Sequence, residues 1–441
     1  MKRRTLLTGS AALALTRPAF AAAPARILFW HAMNGQLGDV LNRLVDRFNK
    51  SQSAVAVDAV FKGGYPETLT AAIAAWRAGQ APNIVMVFDV GTATMIAAGP
   101  AVKYASDLFK ETGVPLDPTR YIPAVRGYYS LPDGRMGSMP FNSSTAVMWY
   151  NQDAFEKAGL DPEKPPATWP ELVAAAKVLK EKKVTEFAVT SSWPTWVHFE
   201  QFSAIHNVAF ATEADGFKGL GARLLVDSAP FVRNLQTLLD MSKDGTFKYA
   251  GRDNIPDPVF YSGQAAIAFN SSASRGALVK TAKFRFADAF LPYHPEIIKK
   301  PINSIIGGAS LWTMTAPHRT AAEYKAVAEF LAFLGQPPQD AEWAAGTGYV
   351  PVTFAGSDLL EKQGYFAKNA GTKLPVLQLE RKPVTDNSKG IRLGDMPELR
   401  VIIEEEWEKE LQGGFDAKRA LTNAVARGNK VLTAFQHSVG G

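Results

Sequence analysis

The chain contains no cysteine in 441 residues. That excludes disulfides, thiolate metal sites, a cysteine nucleophile and lipid attachment through an N-terminal cysteine. Stability must come from burial alone, and a chain of this length can build a large core. Charge of one sign is also scarce, with 48 Lys and Arg against 42 Asp and Glu, a formal +6. Setting aside Lys2, Arg3, Arg4 and Arg17 near the N-terminus leaves +2 for the rest. No basic stripe with interleaved aromatics accompanies that small surplus, so a nucleic-acid partner is not expected. The six histidines (His31, His198, His206, His294, His318, His437) are scattered without metal-ligand spacing. H-E-x-x-H, G-x-S-x-G and P-loop strings are absent. A catalytic triad can assemble from distant positions, yet no residue here points to one. No enzymatic activity, no metal and no cofactor are therefore expected. Low-complexity stretches and internal repeats are missing too.

The N-terminus is more informative. Lys2-Arg3-Arg4 precede a short apolar run at 6–15 and the small-x-small triplet Ala19-Phe20-Ala21. Residues 1–23 thus read as a cleavable export signal, too short for the roughly 20 apolar residues of a membrane span. Arg3-Arg4 before Thr5-Leu6-Leu7 is similar to a twin-arginine signal. An exported chain without an anchor is expected free in a periplasm. The length suggests two domains at about 100–200 residues each.

Beyond residue 24 strands and helices alternate. Strand patterns at 27–30, 55–61 and 84–88 are separated by helical patterns at 37–48 and 67–78, and another helix starts at 92–98. Successive βα units predict a largely parallel sheet with helices on both faces. Ligands in such sheets sit beyond the carboxyl ends of strands, which nominates 31–34, Gly63-Gly64-Tyr65 and Asp89. Further strands are predicted at 187–190, 265–269 and 305–312, the last holding Gly307 and Gly308 where a ligand or backbone comes close. Helices follow at 323–334, 399–411 and 417–435, with a loop at 346–351.

The block 150–172, YNQDAFEKAGLDPEKPPATWPEL, joins the end of a strand at 145–150 to two helices. Asp153 is placed to cap the first helix and Gly159 to stop it. Thr168 and Glu171 have capping-box spacing, with Pro170 tolerated in the first turn. This block resembles a hallmark of extracellular solute-binding proteins that serve ABC importers. The strings FWHAMNGQLG, FKGGYPETLTAAIAAWRAGQAP, FDVGTATM, PFNSSTAVMWYNQDAFEKAGLDP, IIGGASLW, TGYVP and KGIRLGDMPELRVI are similar, in the same order over nearly the whole chain, to the branch that binds sn-glycerol 3-phosphate.

The resemblance implies an α/β periplasmic binding protein, two lobes around a ligand cleft with type II, maltose-binding-like topology. It implies a signal peptide at 1–23, a first lobe of 24–138 plus 290–345 and a second of 139–289 plus 346–441. It further implies a glycerophosphate ligand, with glycerophosphodiesters as a close variant, membrane permease subunits as partners, and a monomer. Carried onto this chain, the branch's contacts fall on Tyr65, Asp89, Ser144, Ser271, Gly308, Tyr349 and Arg400, with Trp193 and Trp196 flanking the glycerol end. Asp89 stands where the branch has a glutamate, one methylene longer.

The chemistry agrees. A phosphate monoester carries about −1.5 to −2 charges and strong acceptors. Arg400 offers a planar fork and Arg392 a second positive charge. Hydroxyls of Ser144, Ser271 and Tyr349 and the Gly308 N–H are neutral donors. A carboxylate at 89 accepts from glycerol hydroxyls, and an indole covers the carbons. The expected cleft has one end of net positive charge and an opposite end with the carboxylate and indole. Each residue also has a plain alternative: core packing for the tryptophans, a helix cap for Asp89, salt bridges to Glu398 or Glu404–Glu406 for Arg400. His31 and Met33 are candidates for the cleft wall. Two rival functions remain, a neutral oligosaccharide binder of the same superfamily and a periplasmic phosphodiester hydrolase.

Overall fold

Strand pairing divides the chain between two sheets. The computed structural model describes residues 24–439; the export signal expected at 1–23 lies outside them. The first sheet runs β2 (Val55–Phe61), β1 (Ala25–His31), β3 (Ile84–Phe88), β11 (Gly307–Met314) and β4 (Val102–Lys103), with β5 (Met139–Ser144) also paired to β11. The second runs β10 (Phe286–Ala289), β6 (Ala146–Asn151), β9 (Ala265–Ser271), β7 (Phe187–Ser191) and β8 (Phe247–Lys248).

The early βα alternation gives parallel pairing of β1 with β2 and with β3, as the pattern predicts. The helix Gly35–Ser51 buries Val40, Leu41, Leu44, Val45 and Phe48, an i, i+4, i+7 stripe that packs it against β2 and the later helix Pro337–Thr347. Each large side chain in that stripe contributes about 1.5–3 kcal/mol by leaving water. Parallel pairing then stops. β11 enters antiparallel beside β3, with Ala309 opposite Phe88 and Thr313 opposite Ile84. Local alternation cannot reveal a strand that returns from so far along the chain, so the first sheet is mixed, not largely parallel. The second sheet is mixed as well: β6 is antiparallel to β9 and β10, and β7 is parallel to β8 and β9.

A single residue, Thr145, separates β5 of one sheet from β6 of the other. It is fully buried, and its hydroxyl donates to the Ile305 carbonyl at 3.0 Å and pairs with the Ser304 hydroxyl at 2.8 Å. The chain comes back towards β11 through 304–305, so both passages between the sheets run side by side. Gln201 holds the second passage at its backbone, donating to the Ile305 carbonyl at 2.9 Å and accepting from its N–H at 3.2 Å.

After β6 the helix Gln152–Ala158 is capped by Asn151, whose side chain accepts from the Ala154 N–H at 2.9 Å. This replaces the expected Asp153 cap. Asp153 lies one residue inside the helix and accepts instead from the Arg285 N–H at 3.0 Å. Gly159 closes the helix in a left-handed conformation, φ 79°. The next helix, Trp169–Glu181, starts with the expected reciprocal box: Thr168 N–H donates to Glu171 at 3.0 Å and Glu171 N–H to the Thr168 hydroxyl at 3.4 Å. At the C-terminus Met396–Lys409 and Ala417–Val439 pack on each other and the latter on Ala229–Lys243, burying Trp407, Leu399 and Leu421.

Candidate functional site

Between the sheets lies a cavity of about 580 Å³, within the roughly 300–1,000 Å³ typical of small-molecule sites. Tyr65, Asp89, Ser144, Trp193, Trp196, Ser271, Gly308, Tyr349 and Arg400 all line it. Strand ends supply four of them: Asp89 follows β3, Ser144 ends β5, Ser271 ends β9 and Gly308 is the second residue of β11.

One wall is built of hydroxyls. Tyr65 begins the helix Tyr65–Arg77 and stacks on Phe88, ring centroids 5.4 Å apart and nearly coplanar. Its hydroxyl lies 3.3 Å from that of Tyr349, and Asn142 Nδ2 donates to it at 3.0 Å. Burial raises both tyrosine pKa values, so both remain neutral hydroxyls. Ser144 pairs opposite Gly307, and the Trp196 indole lies flat against that glycine, where any side chain would strike the ring. Gly308 has φ +110° and presses on the Asn142 carbonyl. The Trp196 indole N–H and Asn142 Oδ1 are buried with no partner among protein atoms. Ser271 Oγ caps the tight turn 272–274, accepting from the Ala273 N–H at 3.1 Å.

A second part of the lining is ionic, and it adjoins the first through Phe88, whose ring lies 5.9 Å from the Arg400 guanidinium. Arg400, on Met396–Lys409, is buried, and its Nε and Nη2 donate to the two carboxylate oxygens of Glu200 at 2.6 and 2.9 Å. Asp89 stands 3.9 Å from Nη2, beyond hydrogen-bond reach but close in charge terms. Burial raises the Asp89 pKa to about 7 against the pull of Arg400. Burial likewise lifts Glu404, which accepts from the Thr195 hydroxyl at 2.9 Å, to about 7. Burial would lower Arg400, but the attraction and hydrogen bonds of Glu200 outweigh it and hold the guanidinium above its ordinary value.

Three expectations change. Arg392 does not line the cavity. Its guanidinium sits over the Phe217 ring at 4.2 Å and donates to the Gly127 and Tyr128 carbonyls. His31 turns into the core and accepts from the Met33 N–H at 3.2 Å, while Met33 and Asn34 reach the wall. The charge pattern is also different. Carboxylate and guanidinium do not mark opposite ends, because Asp89 and Glu200 both flank Arg400. Its salt bridge is to Glu200, not to a neighbour on its own helix. Glu200 and Asn142 are the residues that sequence reasoning missed. Glu200 carried a signal: a lone carboxylate inside the apolar run Trp196–Phe202, where a buried charge needs a partner. Asp253 and Asp257 also line the cavity, Asp257 held by Ser192, by Asn270 at 2.8 Å and by Tyr261 at 3.1 Å.

Trp193 is held in place by backbone conformation. It has φ +52°, and its N–H donates at 2.7 Å to the carbonyl of Asp253, itself at φ +48°. Non-glycine residues held in the left-handed region cluster at ligand clamps and active sites. Trp196 opens a π-helical turn, Trp196–Gln201, that aims its ring inward while Glu200 points behind it at Arg400.

The chain is 42% identical over 439 residues to the sn-glycerol-3-phosphate-binding periplasmic protein UgpB of Pectobacterium atrosepticum, covering 99% of this chain and 98% of that one. It is 41% identical to the protein of the same description from Brucella abortus, over 98% of each. Among solved structures, UgpB of Mycobacterium tuberculosis in complex with glycerophosphocholine superposes with a TM-score of 0.78 at 22% identity, covering 94% of this chain and 100% of that one. Maltose-bound MalE3 of T. maritima gives 0.72 at 17% identity, over 92% and 100%. The fold is therefore that of the maltose-binding-like, two-lobed periplasmic binding proteins. A family-wide sequence description, bacterial extracellular solute-binding protein, matches residues 43–362. With that match and full-length relatives above 40% identity, the chain belongs to the bacterial extracellular solute-binding protein family.

Proposed function

We propose that this protein captures sn-glycerol 3-phosphate and related glycerophosphodiesters in the cavity between its lobes and delivers them to the permease subunits of an ABC importer. The observation that carries this reading is Arg400: the one cation lining the cavity among the described residues, buried, in a lining that also holds Tyr65, Tyr349, Ser144 and Ser271. A guanidinium with free N–H groups and several neutral donors suits a phosphate ester. The indoles of Trp193 and Trp196 suit glycerol carbons. The names of the full-length relatives point to the same ligand.

We read the protein as a monomeric periplasmic carrier with no catalytic step and no nucleic-acid partner. Hydrolysis would need a base beside a serine, and no histidine lines the cavity among the described residues. We place the first lobe on the first sheet and the second lobe on the second, with the chain crossing at Thr145 and at 304–305; the expected boundary at 138/139 would cut β5 from its partner β11. Ligand touching both lobes favours the closed arrangement by its differential affinity. The compensation of Arg400 by Glu200 favours one second reading, a neutral saccharide between the two indoles.

Calorimetric titration of the ligand-stripped protein with glycerol 3-phosphate, glycerophosphocholine and maltose separates the two. Micromolar binding of a phosphate ester, roughly −8 kcal/mol, with no heat from maltose is the expected result. Heat with maltose alone would leave the fold standing and overturn the ligand.

A further inference from the structure

Glu200 does not touch the cavity, yet it occupies the Nε edge of Arg400 and one Nη2 hydrogen. Of the five guanidinium donors, those on Nη1 and the other on Nη2 remain for a ligand. The geometry of recognition survives, but the charge does not. Arg400 and Glu200 together are neutral, and Asp89 stands 3.9 Å away on the other lobe. Glu67, Asp253 and Asp257 add further carboxylates to the lining. A dianionic phosphoryl group entering here would meet no uncompensated cation. A monoanion would find donors without the second negative charge.

We propose that Glu200 is a specificity-determining positioning residue: by holding and neutralising Arg400 it sets the cavity to accept a monoanionic phosphoryl group, whether a diester or a singly protonated monoester. This rests on the phosphate-ester reading of the cavity. Asp89 is faced by Arg400 and Glu200 from the second lobe and by Tyr128 and Tyr129 from its own. Arg400 is faced by Glu200, Asp89, Glu404 and Asp253. Ionisation of Asp89 in that range repels a dianion more than a monoanion and adds to the same trend in the ratio, so the part that belongs to Glu200 is read as the difference between wild type and Glu200→Gln.

The test is the ratio of affinities for glycerol 3-phosphate and glycerophosphocholine, taken by calorimetry between about pH 5.5 and pH 8. The monoester loses its second proton near a pKa of about 6, whereas the diester keeps one charge throughout. In the wild type the ratio is expected to fall by roughly tenfold or more across that range. In Glu200→Gln, which keeps a hydrogen-bonding oxygen beside Nε without the charge, most of that fall should disappear at the high-pH end. A wild-type ratio that is flat or rises with pH overturns the proposal even if the variant does not fold. A folded variant that binds both esters more weakly by the same factor also overturns it, because Glu200 would then be a scaffold only. Failure of both esters to bind wild type at every pH would instead defeat the proposed function, and this inference with it.

Discussion

Gly308 shows how little room the site leaves. At φ +110° a side chain there is strained, and a Cβ would be driven into the Asn142 carbonyl. Asn142 holds the Tyr65 hydroxyl, so a displaced Asn142 disturbs the hydroxyl wall too. Gly308→Ala is expected to cost about 1–3 kcal/mol in a urea melt and to weaken phosphate-ester binding in the same preparation. Wild-type stability in that variant would contradict the packing described. At this scale the sequence announced residues that follow strand ends, because a chain turning out of a sheet places its next side chain over the ligand face. Tyr65 and Asp89 are nominated that way, whereas Ser144 and Ser271 come from the resemblance to the glycerophosphate-binding branch. The sequence could not announce pairings across the fold. Arg392 and Arg400 look alike as arginines near one another, and only the folded helix shows that one reaches Glu200 and the other two backbone carbonyls.

Elements were more legible than residues, because caps and periodicity are local. The Thr168–Glu171 box is formed as its spacing predicts. Thr168→Ala should destabilise the protein by about 1 kcal/mol, read as a lower urea midpoint with an unchanged slope. Equal midpoints would mean that tertiary packing alone fixes the start of that helix. The Asp153 cap failed by two residues for a physical reason: Asn151 ends a strand in extended conformation, which is the backbone a cap requires. The direction of β11 was not legible at all. A buried strand reads the same in both directions, and its partner β3 lies far back in the chain.

For the whole molecule, buried titratable groups set the response to acid. Burial lowers His198 and His206 from 6.5 to about 3, and His294 to about 4. They are linked: the His294 backbone N–H donates to His206 Nε2 at 2.9 Å, and His294 Nε2 lies 3.1 Å from Asn234 Oδ1, whose Nδ2 donates to the His198 carbonyl at 2.7 Å. A depressed folded-state value means that their contribution is complete above pH 6.5 and lost as pH falls towards 3–4. Asp215, raised to about 7 by burial, acts oppositely and loses its contribution as pH rises from 3.8 to that value. A variant isolates the histidine part. His206→Gln should flatten the acid limb of stability against pH by up to about 1.4 kcal/mol per pH unit. Parallel curves for variant and wild type would show that His206 does not resist protonation.

The placement of β11 has a consequence for how the protein comes into being. Its pairing fills the space between β3 and both β4 and β5, so the first sheet lacks its middle until Gly307 has been made. Every strand of the other sheet precedes it in the chain. The opening third of the newborn chain must wait, its apolar edges unpaired, for a segment from the closing third. Contacts so distant in sequence slow folding. The other half also waits, because its helices Met396–Lys409 and Ala417–Val439 come last, so both halves of the newborn protein close only with the final third of the chain and until then need a chaperone.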